Sequence, residues 1–189
     1  MPASFACVGL VGRSQRDGLE PVLEELITLL HLRGHEVLLE ERLAELVPSS
    51  EDPRLPIEEI GARADLVIVV GGDGSLLGAA RTLARFDLPV LGVNCGRLGF
   101  LTDITPDELS EQVSAVLDGQ YDQESRFLLD ATVVRDGKVI GSADALNDVV
   151  VNSGTSAQMI ECELYVNDVF VYRQRAYGLI VSTPTGSTA

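Results

Sequence analysis

The chain has 189 residues, of which 46% are hydrophobic and 23% charged, and this composition allows one large domain, or one domain and part of another, with a full core. Acidic side chains outnumber basic ones, 29 to 14, giving a formal net charge of −15 that argues against nucleic-acid binding. Any bound phosphate must therefore be held locally by backbone amides, arginines or a metal ion.

The first segments predict a β-α-β unit. An apolar run at 5–11 predicts a strand, and apolar residues spaced three and four apart from Glu20 predict an amphipathic helix that ends near Gly34. A second strand follows at 37–39, so we expect a parallel sheet with right-handed crossovers. The polar, proline-containing stretch 48–56 is expected to be a mobile excursion.

The segment 66–78 is the most informative part of the chain. Five apolar residues at 66–70 predict a strand buried on both faces, three glycines follow, and helical spacing resumes from Ser75. A glycine turn between a strand and a helix presents free N–H groups and favours phosphate binding. Asp73 lies in this turn, where it could cap the helix, accept a proton from an attacking hydroxyl, or help to hold magnesium.

A further strand is predicted at 89–94, and it leads into a glycine-containing loop at 95–101. Because ligands of open α/β sheets bind at the carboxyl edge of the strands, this loop and Asp73 are expected at the same edge. A helix is predicted at 106–117, with Thr105 as its cap and Gly119 as its end.

From about residue 121 the pattern changes to strands. Alternating segments and turns at 136–137 and 167–168 predict hairpins through to Val181. We therefore predict an α/β domain at 1–120 with a Rossmann-like parallel sheet, and an all-β region at 121–189. Asn147, Asp148 and the hydroxyl-rich run 183–189 could bind a base and a ribose, although such residues are more often turns and helix caps.

Several classes of protein are disfavoured. Lys138 is the only lysine and lies away from any glycine-rich loop, so neither a Walker-type loop nor a protein kinase is predicted. The dinucleotide fingerprint is weak, because Leu77 occupies the place of its third glycine or alanine. Three cysteines without pairing or metal spacing are typical of the cytoplasm, and no stretch has the length of a membrane span.

The combination of motifs is more specific than any one of them. The segment 71–74 (Gly-Gly-Asp-Gly) resembles the motif shared by the NAD kinase, phosphofructokinase and diacylglycerol kinase superfamily. The segments 92–94, 98–101, 147–148 and 183–189 resemble bacterial NAD kinases in particular. The similarity extends from about Cys7 to the last residue.

This resemblance implies transfer of the γ-phosphoryl group of ATP to the 2′-hydroxyl of the adenosine ribose of NAD, with Mg²⁺ bridging the ATP phosphates. It implies that Asp73 accepts the proton from that hydroxyl. We also expect a homo-oligomer, and the net charge and the lack of a stretch of membrane-spanning length predict binding to neither nucleic acid nor membrane. The resemblance also implies a set of dinucleotide-binding residues: Asp73, Gly74, Phe100, Asn147, Asp148, Arg175, Tyr177, Thr188 and Ala189.

The chain departs from the family pattern at identifiable positions. Tyr177 stands where the family has an aspartate, and Gln158 stands where a basic residue is common. The β domain of the family also continues beyond the point matched by Ala189, so we expect an incomplete all-β domain and little or no activity from these 189 residues alone. Two alternatives are a sugar-phosphate or lipid kinase of the same superfamily and a non-catalytic dinucleotide-binding module.

Overall fold

A computed structural model describes residues 5–12, 18–95, 99–102, 104–154 and 158–188, with the side chain of Thr188 left out of the description. The chain divides into two compact units, Met1–Glu124 and Ser125–Ala189, which are described separately below.

The first unit is built on a five-stranded parallel sheet in the order β3-β2-β1-β4-β5. Its strands are β1 (Cys7–Gly12), β2 (Glu36–Glu40), β3 (Arg54–Leu55), β4 (Leu66–Gly71) and β5 (Val90–Asn94). Its helices are α1 (Leu19–Leu32), α2 (Glu41–Ala44), α3 (Ile57–Arg63), α4 (Asp73–Leu83) and α5 (Leu109–Leu117).

Strand β4 is apolar along its whole length because both of its faces are covered. Alternate residues of a strand point to opposite faces. Leu66, Ile68 and Val70 belong to one core cluster, together with side chains of α1 and α5. Val67 and Val69 belong to a second cluster, with side chains of α3 and α4. The central strand is therefore fixed in the middle of a three-layer unit, and its carboxyl end has a defined position.

Two sequence predictions for the first unit differ from the structure here, and a third, the start of α4, is described with the site. The stretch 48–56 contains β3, an edge strand that pairs with β2, and the N–H of Leu39 donates to the carbonyl of Pro53 at 2.9 Å. Backbone pairing outweighs the polar composition there. Residues 106–117 form a 3₁₀ turn at Pro106–Glu108 followed by α5, rather than one continuous helix.

The second unit consists of antiparallel pairs of strands. Three two-stranded sheets pair β6 with β7, β8 with β11, and β9 with β10. Their bounds are β6 (Leu129–Arg135), β7 (Lys138–Ala145), β8 (Asp148–Asn152), β9 (Ile160–Val166), β10 (Val169–Ala176) and β11 (Gly178–Ser182). Both predicted hairpin turns are present, and all four of their central residues have positive φ, as type I′ turns require: Asp136, Gly137, Asn167 and Asp168. The predicted order, a parallel α/β part followed by an all-β part, is confirmed.

Candidate functional site

The glycine turn after β4 lies at the carboxyl edge of the sheet, between β4 and α4. Gly71 has a φ of 151°, and a Cβ at this position would overlap the side chain of Ser75, so only glycine fits without rearrangement. The carbonyl of Gly71 accepts a hydrogen bond from the N–H of Cys95 at 3.0 Å, which ties the turn to the segment after β5. The turn and this segment therefore form one continuous edge.

Asp73 is the first residue of α4, whereas the sequence placed it in the turn before a helix starting at Ser75. The cap residue is Gly72, and no side chain caps this helix. The Asp73 carboxylate instead accepts hydrogen bonds from the residues after β5. Its Oδ2 accepts from the N–H of Phe100 at 2.8 Å. Its Oδ1 accepts from the N–H of Leu101 at 3.1 Å and from the hydroxyl of Thr102 at 3.2 Å.

These contacts fix the charge of Asp73. Burial raises the pKa of its carboxyl, but the hydrogen bonds from Phe100, Leu101 and Thr102 outweigh burial, so the pKa lies below the usual aspartate value. The side chain is therefore ionised at neutral pH. The donors include both the backbone and the hydroxyl of Thr102.

The surroundings of the carboxylate are open on two sides. Gly74 is exposed, and a Cβ built on it would meet no atom within 4 Å. Phe100 has 84% of its surface exposed, although its backbone is held against Asp73. Gly99 is in close contact with the carboxylate, since a Cβ there would lie within 2.6 Å of Oδ2. The edge thus offers an anionic oxygen, an exposed glycine and an aromatic ring.

A second group of predicted residues is assembled within the second unit. The backbone carbonyl of Asn147 accepts hydrogen bonds from the N–H of Thr183 at 2.8 Å and from its hydroxyl at 3.2 Å. Thr183 is buried, and its Oγ1 accepts from the N–H of Gly186 at 3.2 Å. The sequence motifs 147–148 and 183–188 are therefore in contact, although 36 residues separate Asn147 from Thr183.

The side chain of Asn147 has an unusual feature. Among the residues that the structure describes, its Oδ1 is the only fully buried side-chain oxygen or nitrogen without a hydrogen-bond partner. Leaving such an atom unpaired costs about 1–3 kcal/mol.

The other predicted residues of this unit are placed on its strands. Asp148 pairs with Ser182 in the β8–β11 sheet, and Arg175 lies opposite Glu161 in the β9–β10 sheet. Tyr177 lies between β10 and β11 with 67% of its surface exposed. Thr188 ends the 3₁₀ helix Thr185–Thr188, and Ala189 lies outside the described residues.

Three residues that take part in the contacts described above were not predicted from the sequence as site residues. Gly99 and Thr102 contact Asp73 directly, and the guanidinium of Arg126 donates to the hydroxyl of Thr185 at 3.0 Å. The predicted loop 95–101 gave a signal for Gly99, because it was expected at the same edge as Asp73, whereas Thr102 lies one residue beyond that loop. Nothing in the sequence indicated the Arg126 contact, which spans 59 residues.

No described helix has the length and apolar character needed to cross a bilayer. Within the described ranges there is also no cluster of three or more His, Cys, Asp or Glu side chains placed to hold a metal ion.

Comparison with known proteins identifies the family. The model of the ATP-NAD kinase N-terminal domain matches residues 8–121, and the model of the C-terminal domain matches residues 146–189. The NAD kinase of Shewanella baltica is 54% identical over 190 residues, which include 100% of this chain and 61% of that protein. The NAD kinase of Chromohalobacter salexigens is 50% identical over 185 residues, or 98% of this chain and 63% of that protein.

Solved structures have the same fold. A yeast NADH kinase complexed with NADH superposes with a TM-score of 0.87 at 24% identity, covering 99% of this chain and 60% of that one. An Archaeoglobus fulgidus NAD kinase in complex with ATP superposes with a TM-score of 0.72 at 28% identity, covering 96% of this chain and 62% of that one. The chain spans 61–63% of the length of the curated relatives given above. With both domain models matched in order, the chain belongs to the ATP-NAD kinase family.

Proposed function

We propose that the chain carries the phosphoryl-transfer site of an NAD kinase, which moves the γ-phosphoryl group of ATP to the 2′-hydroxyl of the adenosine ribose of NAD. The observation that carries this proposal is the ionised Asp73 carboxylate, which lies beside a glycine turn at the carboxyl edge of a parallel sheet. The 54% identity to a bacterial NAD kinase supports the same reaction.

Asp73 has the features of a proton acceptor that acts late in the reaction. Its low pKa makes it a weak base, but phosphoryl transfer passes through a loose transition state in which the attacking hydroxyl becomes acidic only as the new bond forms. A positioned base contributes about 10²–10⁴-fold to such a step. Holding the hydroxyl in line with the phosphorus would accelerate the step further.

The dinucleotide contacts are proposed in two groups. In the first unit, Gly74 would donate its N–H and Phe100 would pack on the adenosine; both are accessible. In the second unit, Asn147 would bind the adenine, and Asp148 would bind a ribose hydroxyl. Four further residues complete the proposed dinucleotide site: Arg175, Tyr177, Thr188 and Ala189.

Magnesium would enter with ATP as part of the substrate. Mg²⁺ usually keeps several waters and binds through substrate phosphates, so the ATP phosphates would hold it here. When bound, the ion would neutralise charge on the phosphate oxygens. We also propose a cytoplasmic location and a homo-oligomeric state for the enzyme.

Two measurements test the proposal. Calorimetric titration of the chain with NAD should give saturable binding, and it should not do so with a sugar phosphate or a diacylglycerol. Radioactive phosphate from γ-labelled MgATP should enter NADP once the chain is joined to the C-terminal part of the Shewanella baltica relative that it does not cover.

The outcome separates the alternatives. Label in a sugar phosphate or lipid would assign the chain to another kinase of the superfamily, and NAD binding without transfer in the joined protein would make it a binding module. Adding Tyr177→Asp to the joined protein shows whether the tyrosine limits activity.

A further inference from the structure

Thr102 is a fully buried residue in the segment that follows β5. Its hydroxyl donates to Oδ1 of Asp73 at 3.2 Å, next to the N–H of Leu101, which donates to the same oxygen at 3.1 Å. A buried hydroxyl without a partner is costly, and the carboxylate is the acceptor that satisfies this one. Thr102 thus holds Asp73 with its side chain, whereas Phe100 and Leu101 hold it with backbone groups.

The backbone around Thr102 is anchored independently of Asp73. Ile104 forms a parallel bridge with Val93 in β5, and its carbonyl accepts from the N–H of Asn94 at 2.7 Å. The methyl group of Thr102 lies against Gly92, where an added Cβ would approach it to 2.8 Å. A β-branched side chain packed in this way has little rotational freedom, so the hydroxyl points in one direction.

We propose that Thr102 is a positioning residue, whose hydroxyl fixes the direction in which the Asp73 carboxylate points. The role of Asp73 toward the substrate rests on the proposed function. The orientation of the carboxylate by Thr102 is independent of that function and can be measured without any substrate.

The electrostatic surroundings make this effect measurable. The pKa of Asp73 is set by burial, which raises it, and by the hydrogen bonds of Phe100, Leu101 and Thr102, which lower it. Strands β4 and β5 and the described residues 99–102 carry no other titratable side chain. Helix α4 carries only Arg81, eight residues further along, or about 12 Å by the helical rise. Loss of the hydroxyl would therefore change the titration of Asp73 without a compensating charge from these elements.

Two substitutions separate the hydroxyl from the packing. Thr102→Val keeps the branched shape and the contact with Gly92 but removes the donor. Thr102→Ser keeps the donor but removes the methyl group. If the hydroxyl positions Asp73, then valine alters the carboxylate and serine restores it, whereas a purely structural role would make serine the more damaging change.

The test uses the full chain with ¹³C-labelled aspartate carboxyl groups, titrated by NMR. The Asp73 signal is assigned by its absence from Asp73→Asn. Thr102→Val should move the titration midpoint of Asp73 upward, and Thr102→Ser should leave it near the wild-type value. A midpoint that stays unchanged in Thr102→Val would overturn the proposal. If Thr102→Val does not fold, Thr102→Ala is compared with Thr102→Ser in the same way.

A kinetic arm uses the joined protein described above. Thr102→Val should lower kcat by roughly tenfold with little change in KM for NAD, and it should move the acidic limb of the pH profile upward. Thr102→Ser should recover both. A shifted NMR midpoint in a protein that never forms NADP would uphold the positioning role and refute the proposed function, so the two failures are distinguishable.

Discussion

Gly99→Ala tests whether the Asp73 carboxylate and the segment 99–102 depend on each other. An added Cβ would lie within 2.6 Å of the Asp73 Oδ2, so either the carboxylate rotates away or the segment withdraws. Both movements break the bonds from the N–H groups of Phe100 and Leu101. Hydrogen bonds to an ionised acceptor contribute about 1.5–3 kcal/mol each. Because Phe100 is 84% exposed, water would replace part of the lost hydrogen-bond energy. We expect a net loss of about 2 kcal/mol.

Far-UV circular dichroism during urea unfolding measures this loss, because every α-helix of the described chain lies in the first unit. Gly74→Ala is the matched control, since its Cβ would meet nothing within 4 Å and it lies in the same helix as Asp73. Alanine is the better helix former, so this change should stabilise by up to about 1 kcal/mol. The two glycines thus predict effects of opposite sign.

The cause is isolated by a double-mutant cycle with Asp73→Ala. Without the carboxylate there is nothing for the new methyl group to displace, so Gly99→Ala should then cost little. If Gly99→Ala is as stable as the wild type, or if its cost persists in Asp73→Ala, the close contact does not hold the segment and this reasoning is refuted.

Three further predictions concern other parts of the chain. Burial raises the pKa of Glu40, and the hydrogen bond from the N–H of Gly12 offsets this only in part. The contribution of Glu40 to stability is therefore present below the usual glutamate pKa and is lost as pH rises through the raised pKa. Glu40→Gln should raise the Tm by a few degrees at neutral pH, corresponding to about 1 kcal/mol, and should change it little in acid. An equal gain in Tm at both pH values would contradict this. Burial also raises the pKa of the Cys7 thiol to about 11. A thiol reagent at mildly alkaline pH should therefore modify Cys7 only after unfolding. Modification of Cys7 in the native chain, detected by mass spectrometry, would contradict this prediction. Replacing Asn147 with leucine removes an unpaired buried oxygen, so the Tm should hold or rise while NAD affinity in calorimetry falls about tenfold or more; unchanged affinity would exclude Asn147 from the site.

The sequence predicted the sheet because its strands carry a strong physical signal. The run 66–70 is apolar on both faces, and the structure covers both faces with helices. The turns at 136–137 and 167–168 were predictable because their residues tolerate positive φ. Strand β3 was not predictable, since Arg54 and Leu55 gain their strand conformation from pairing with β2 rather than from their own pattern.

The site was predictable by residue type but not by contact. A lone carboxylate in a glycine turn indicates a cap, a base or a metal ligand equally well, and the local sequence does not distinguish them. The contacts from Phe100, Leu101 and Thr102 argue against the cap, and they span 27 to 29 residues. Long-range hydrogen bonds of this kind follow from the tertiary fold, so the sequence placed the loop at the correct edge without revealing which groups hold Asp73.

The most direct test of the central claim compares wild-type and Asp73→Asn forms of the joined protein in transfer of labelled phosphate from MgATP to NAD, with NAD binding measured in parallel. The amide keeps the size of the side chain but cannot take the proton, so turnover should fall by about 10²–10⁴-fold while NAD still binds. Turnover that survives in Asp73→Asn with an unchanged pH profile would contradict the assignment of Asp73 as the proton acceptor.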